Sequence, residues 1–388
     1  MGSNLLGESG WPRDNRATAG DQDAEGYRMI ESLTIRNFRC FEDIAIKDIG
    51  RINIIVGRNA SGKTAMLEAL YSTLGTPALT LKIRGWRGLA GPMLITDRNE
   101  SMNAVWRDYF YRFEQNRTAT IAFRGSQDMN RTLTIRCQTE SSTKISTSKR
   151  SRDAEISEYG GYSGVEPAGQ IEFRWYKNDR QIAISKPELV GESIRILGGP
   201  PPLPGAFFSS TGIVNQQESA IWFSELSKRR EAQPIIDAIQ ALFPFVTGLS
   251  VETQGTMPMV HADIESLPEK IPAGLISSGV NKLIYILCAI ATQKQGILLI
   301  DEIENGFHFK TMPGVWQAIY DACKKYHVQL FASTHSQECL ESLTDVIRSK
   351  EQDFSLLRTV RGESNCQVRH FTGSQFLGGL EEDIELRS

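Results

Sequence analysis

Apolar and polar positions give the first outline of the chain. Ile30, Leu33, Ile35 and Phe38 stand among Glu31, Ser32, Thr34, Arg36, Asn37 and Arg39; a second apolar run follows at 44–46 and a third, rich in β-branched residues, at 52–56. This predicts a strand, a turn, a second strand and a buried third strand. Residues 65–71 (Ala-Met-Leu-Glu-Ala-Leu-Tyr) then place good helix formers with apolar side chains at helical spacing. Farther on, 118–123 and 131–137 alternate with period two, and 171–176 and 181–184 flank Asn178-Asp179, a hairpin signal. The aromatic stretch 105–113 reads as a strand, and 206–211 as a strand end. Residues 224–243 read as a helix divided at Pro234, with Ile235, Ile236, Ile239 and Leu242 broadly on one side. Strands are expected at 246–253 and 259–264, a helix at 283–292, buried strands at 296–300 and 328–333, and a closing hairpin from 354–359 and 366–371.

Two stretches lack such periods. Residues 1–28 are rich in Gly, Asp, Asn, Arg and Ala and read as a disordered tail or an expression remnant, with Met29 an alternative start. Residues 76–205 read as a β-rich insertion into a domain spanning 29–388. Within it 138–164 is polar, rich in Ser, Thr and Gly, and reads as a mobile loop. Its basic patch, Lys149-Arg150-Ser151-Arg152, is taken as a solvated loop rather than a DNA contact.

Composition narrows the classes. With 388 residues and a net charge of −3, the chain can bury a large core, and its overall charge does not announce a nucleic-acid binder. The six cysteines (40, 137, 288, 323, 339, 366) contain no C-x-x-C pair, which argues against a zinc site or a disulfide framework and fits a reducing cytoplasm. The five histidines show no metal-ligand spacing. No apolar run approaches the roughly 20 residues that span a bilayer, so no membrane partner is expected.

Candidate chemistry starts at Gly57-Arg58-Asn59-Ala60-Ser61-Gly62-Lys63-Thr64, which matches G-x-x-x-x-G-K-[ST] between a predicted strand and a predicted helix. Its glycines allow successive N–H groups to face phosphates, and the helix start adds partial positive charge. Lys63 is expected on the β- and γ-phosphates, and the Thr64 hydroxyl on Mg²⁺. Asp301 and Glu302 end the apolar run 296–300. Paired carboxylates at the end of a buried strand cost free energy unless they hold a metal or a proton. Asp301 is therefore assigned to Mg²⁺, mostly through its waters, and Glu302 to the base that polarises the attacking water. Ser277-Ser278-Gly279 precede a helix and place hydroxyl and N–H donors at its positive end; taken alone, they are an ordinary N-cap.

The segment 29–43, with Leu33-Thr-Ile-Arg-Asn-Phe-Arg-Cys-Phe41, resembles the L-x-I-x-N-F-R-x-F hairpin that opens the ABC-type ATPase heads of the SMC, RecF and OLD kind. Ser277-Ser278-Gly279 is similar to their signature motif, with Ser277 where relatives often carry Gly. Leu298 to His308 resembles the L-L-I-D-E-I-E-N-G-L-H segment of OLD-like ATPases, and Gln329 to Ser336 their Q-x-F-x-T-T-H-S. The tail 378–387 is similar to their acidic ending. The resemblance covers 29–75 and roughly 205–388. It implies an α/β fold, an ABC-type P-loop NTPase head with a mixed sheet flanked by helices. It implies ATP and Mg²⁺ as ligands, Gln216 or Gln217 on Mg²⁺ and the attacking water, His335 on the γ-phosphate, and Glu304 or His308 at a dimer contact. Long heptad runs are absent, so SMC-type coiled-coil arms are not expected, and the end of the chain lacks the D-x-D of a Toprim nuclease. The implied function is an ATPase that dimerises around ATP, or forms a higher oligomer, and serves a separate effector such as a nuclease or toxin in bacterial antiphage defence. Two other readings stay open: a RecF-like repair clamp that binds DNA, and a toxin-holding scaffold with vestigial hydrolysis.

Overall fold

The computed structural model describes residues 28–87, 105–138, 170–190, 193–210, 214–382 and 384–386. Positions 1–27, most of 138–164 and the basic patch 149–152 lie outside the described residues. Two six-stranded sheets dominate. The first is antiparallel, with order β2-β1-β4-β5-β6-β7: β1 Ile30–Phe38, β2 Phe41–Ile46, β4 Ala119–Gly125, β5 Arg131–Gln138, β6 Gln170–Lys177 and β7 Arg180–Ser185. Strands β4 to β7 come from the segment read as an insertion, yet they extend the sheet of the opening hairpin. That segment also contributes the helix Pro77–Trp86 and the small ladder of β8 Glu188–Val190 with β9 Ser193–Arg195.

The second sheet has order β10-β14-β15-β3-β16-β17, where β3 is Ile52–Val56, β10 Gly205–Phe208, β14 Ile297–Ile300, β15 Gln329–Ser333, β16 Phe354–Arg361 and β17 Cys366–Thr372. Five of its strands run parallel and β17 returns antiparallel. Strands β3, β14 and β15 are buried at every position, as expected of a parallel sheet covered on both faces. Ile54, Leu298, Ile300, Leu330 and Leu356 face a cluster built with the helices Gln216–Lys228, Gln233–Leu242, Ser278–Thr292 and Met312–Tyr326. Ile55, Ile297, Leu299, Phe331 and Leu357 face the helix Lys63–Leu74 and the underside of the antiparallel sheet. A third sheet, β11 Val246–Gln254, β12 Met257–Ile264 and β13 Ile271–Pro272, packs against the helix Gln216–Lys228.

The helix Lys63–Leu74 lies between the two large sheets, which explains why eleven of its twelve residues are buried rather than one stripe. Met66, Leu67, Leu70 and Leu74 each contribute on the order of 2 kcal/mol by leaving water. Its last carbonyls, which no helical N–H can reach, are met by a buried arginine. Arg131 donates to Thr73 O (3.2 Å), Leu74 O (3.1 Å) and Pro201 O (3.0 Å). Gln329 ties the sheets together: its Oε1 accepts from Ile30 N (2.8 Å), and its Nε2 donates to Ile30 O (2.8 Å) and Gly50 O (2.7 Å).

Three expectations need correction. The stretch 105–113 is not a strand. It forms two 3₁₀ turns, Arg107–Tyr109 and Tyr111–Phe113, with a single bridge from Phe110 to Phe38. Arg112 and Phe113 have φ of 51° and 62°, which stops extension. Trp106, Tyr109, Phe110 and Tyr111 are all buried, so burial does not alternate. The division expected at Pro234 falls before it, at 229–232, where Arg230 has φ 61°, and the first helix begins at Gln216 rather than 224. Pro234 occupies the first turn of the second helix, where its missing N–H costs nothing. The helix expected at 283–292 begins five residues earlier, at Ser278.

Candidate functional site

The loop after β3 is bent by its backbone. Gly57 has φ 146°, Ala60 61° and Gly62 107°, and Gly62 caps the helix Lys63–Leu74. Gly57 also permits a close approach: a Cβ there would lie 2.3 Å from Thr359 O and 2.4 Å from Thr359 Oγ1. Thr359, on β16, holds the loop from beneath. Its hydroxyl donates to Val56 O (3.0 Å) and shares a hydrogen bond with Ser61 Oγ (2.6 Å), while Arg361 Nη1 donates to Ala60 O (3.2 Å). Lys63 Nζ donates to Gly57 O (2.7 Å) and Arg58 O (3.2 Å), which lays the ammonium across the loop. Burial pulls Lys63 below the usual lysine range, against the opposing pull of Asp301, Glu302 and Glu304. Arg58, Asn59 and Ala60 are exposed at the loop tip.

Neighbouring parallel strands bring the other predicted residues to the same end of the sheet. Asp301, immediately after β14, is 5% exposed. Its carboxylate accepts from three hydroxyls: Thr64 Oγ1 (3.1 Å to Oδ2), Ser210 Oγ (3.2 Å) and Ser333 Oγ (2.5 Å). These groups come from four separate stretches of the chain. The oxygen-only set suits a hard divalent cation that keeps part of its water shell. Among the described residues there is no group of three or more His, Cys, Asp or Glu able to hold a metal, so a cation here would rest on one carboxylate, hydroxyls, waters and phosphate oxygens.

Glu302 takes the left-handed conformation, φ 52°, which costs a residue with a Cβ roughly 1–2 kcal/mol. The turn is held on both sides. Glu302 N donates to Ser333 Oγ (2.9 Å), and Ile303 N donates to Ser333 O (3.0 Å). Asn305 Nδ2 donates to Glu302 Oε2 (2.8 Å). Lys282 Nζ donates to the carbonyls of Glu302 (3.1 Å), Ile303 (3.2 Å) and Asn305 (3.0 Å). Burial draws Lys282 down to about 8 despite the carboxylates of Glu304, Glu302 and Asp301.

His335 follows β15 and is exposed, with Nδ1 3.0 Å from Glu304 Oε1 and 4.0 Å from Glu302 Oε1. Its backbone N–H also donates to Glu304 Oε1 (2.9 Å). Glu304 is therefore turned inward against His335 in its own chain, whereas His308 stays exposed. Ser277 caps the helix Ser278–Thr292 by accepting from Val280 N (3.1 Å). Ser277 and Ser278 are exposed beside Leu275, while Gly279 is buried against the Gly306 turn. Gln216 and Gln217 open the helix Gln216–Lys228 behind the N-cap Asn215. Gln217 is exposed; Gln216 is half-buried, its Oε1 has no partner, and it borders a cavity of about 1030 Å³ that Ser210 and Ser278 also line.

The structure thus gathers Lys63, Thr64, Asp301, Glu302 and His335 at one end of the parallel strands, with the exposed Ser278 helix start against the Gly306 turn beside them. Sequence reading missed Ser210, Thr359 and Lys282. No local pattern marks them, because each acts on a residue 20 or more positions away.

Comparison with known proteins agrees with this architecture. A family model described as "AAA ATPase domain" matches residues 29–157. A second, described as "AAA domain, putative AbiEii toxin, Type IV TA system", matches 225–341. An "ATP/GTP phosphatase" of Helicobacter pylori is 24% identical over 355 residues, 83% of this chain and 90% of the relative. Shorter matches include the "DNA replication and repair protein RecF" of Idiomarina loihiensis, 50% identical over 43 residues, and the "OLD nuclease" of Thermus scotoductus, 45% identical over 47 residues. The first covers 11% of this chain and 12% of the relative, the second 12% and 9%. Among solved structures, the Smc head domain of Pyrococcus furiosus bound to the C-terminal domain of ScpA aligns with TM-score 0.51 and 12% identity, covering 91% of this chain and 99% of that one. The fold is that of an ABC-type P-loop ATPase head.

Proposed function

We propose that this chain binds and hydrolyses ATP, that two copies close around the nucleotide, and that the closed pair acts as a sensor or scaffold for a separate effector. The observation that carries the reading is the convergence of Thr64, Ser210 and Ser333 on the Asp301 carboxylate beside the Lys63 loop. In this reading the loop N–H groups of 58–64 and the helix start hold the phosphates, and Lys63 exchanges its two loop carbonyls for the β- and γ-phosphate oxygens. Thr64 and Asp301 would hold Mg²⁺, and Gln216 or Gln217 would help hold it and the attacking water. Mg²⁺, when bound, offsets charge on the β- and γ-phosphates. Glu302 accepts the proton of the attacking water, and His335, braced by Glu304, stands where it meets the γ-phosphate. In this reading a second copy caps that phosphate. The exposed Ser277 and Ser278 of a second copy, with Gly279 behind them, supply hydroxyl and N–H donors at a helix start. ATP then joins two heads and hydrolysis parts them.

The effector reading rests on the likeness of 298–308 and 329–336 to OLD-like ATPases, and on the toxin–antitoxin wording of the family description over 225–341. The test is purification of the intact chain with its neighbours in the presence of ATP. A nuclease or toxin that stays bound with ATP and leaves with ADP supports the reading. ATPase activity stimulated by DNA, with a steep loss of binding as salt rises, would instead support the repair clamp.

A further inference from the structure

We propose that Lys282 is a positioning residue for hydrolysis: it fixes the turn that aims the Glu302 carboxylate and fastens that turn to the helix carrying Ser278. The inference rests on the reading of Glu302 as the base. An ammonium has three donors and no acceptor. Lys282 Nζ spends all three on consecutive parts of one turn, at Glu302 O, Ile303 O and Asn305 O, 3.0–3.2 Å away. The turn needs such a clamp, because Glu302 sits at φ 52° without being glycine. The same turn sets the carboxylate, since Asn305 N donates to Glu302 O (3.1 Å) and Asn305 Nδ2 to Glu302 Oε2 (2.8 Å). If the backbone relaxed toward an extended conformation, the side chain would swing away from β15 and from His335.

The other end of Lys282 is as well fixed. It lies in the second turn of the helix Ser278–Thr292, whose first turn meets the same segment backbone to backbone. A Cβ on Gly279 would stand 2.4 Å from Gly306 O. The ammonium also lies 5.6 Å from the centre of the Phe307 ring, which limits where its stem can go. The helix start that faces a partner and the turn that aims the base are thus held as one piece, with Lys282 as the pin.

The experiment compares Lys282→Met, Lys282→Arg and Glu302→Gln in the full chain, reading kcat, KM, ATP affinity by a fluorescent analogue, and melting temperature. Lys282→Met is expected to lower kcat roughly 10–100-fold while ATP affinity stays within about threefold. Lys282→Arg is expected to fall between, because a planar fork cannot converge three N–H groups as an ammonium does. In the Glu302→Gln background, Lys282→Met should have no further effect on the residual rate. A Lys282→Met protein at wild-type rate overturns the inference, and so does a further tenfold loss in that background. If Lys282→Met does not fold, Lys282→Arg decides: a lowered kcat at unchanged melting temperature supports the role, and full activity refutes it. Should Glu302→Gln itself hydrolyse normally, the base assignment fails, separately from the clamp.

Discussion

Gly62 shows how little room the phosphate loop has. A Cβ there would meet Cys40 Sγ and Phe41 Cζ, each 2.8 Å away, at a φ of 107°. The loop therefore rests on the tip of the opening hairpin as well as on Thr359, and Gly62→Ala should weaken ATP binding at least tenfold, read by equilibrium titration. Glu302 makes the opposite case, a residue with a side chain in a conformation that favours glycine. Glu302→Gln keeps the shape and the Asn305 contact but removes the base. Its hydrolysis rate should fall 100-fold or more with ATP affinity unchanged, checked by phosphate release alongside titration. Asp301 and Glu302 were legible because they are adjacent and end an apolar run. Ser210 and Thr359 were not, since a hydroxyl that reaches a partner 91 or 298 residues away leaves no local pattern.

Among the elements, Gln329 does work that its place in a buried strand conceals. Gln329→Leu would remove the partner of Ile30 N and Ile30 O and leave Gly50 O to Asn53 Nδ2 alone. Each loss at Ile30 costs about 1 kcal/mol or more, so the variant should be less stable by roughly 2 kcal/mol, measured from the urea midpoint. Strands with alternating burial, such as β4 and β5, were readable because period two has one physical cause, a covered and an open face. The aromatic stretch 105–113 was not, because large rings can fill the end of a sheet without alternating. The helix Lys63–Leu74 has both of its sides against a sheet; its good helix formers, their spacing and the motif before them marked it together.

For the molecule as a whole, the order of the parallel strands explains why motifs far apart in sequence meet. Strands β14 and β15 lie on one side of β3 and β16 on the other, so Asp301, His335 and Thr359 all end beside the phosphate loop. None of that order can be read from a single strand. The Ser278 helix start is exposed, with Leu275 73% exposed beside it. Ser278→Arg should leave ATP affinity of the single chain intact while preventing pairing. The most direct test is the solution mass of the Glu302→Gln chain by light scattering, with and without saturating ATP and Mg²⁺. The expected result is a doubled mass with ATP, returning to that of one chain when Ser278→Arg is added. A Glu302→Gln chain that binds ATP fully and keeps the mass of one chain would contradict the account.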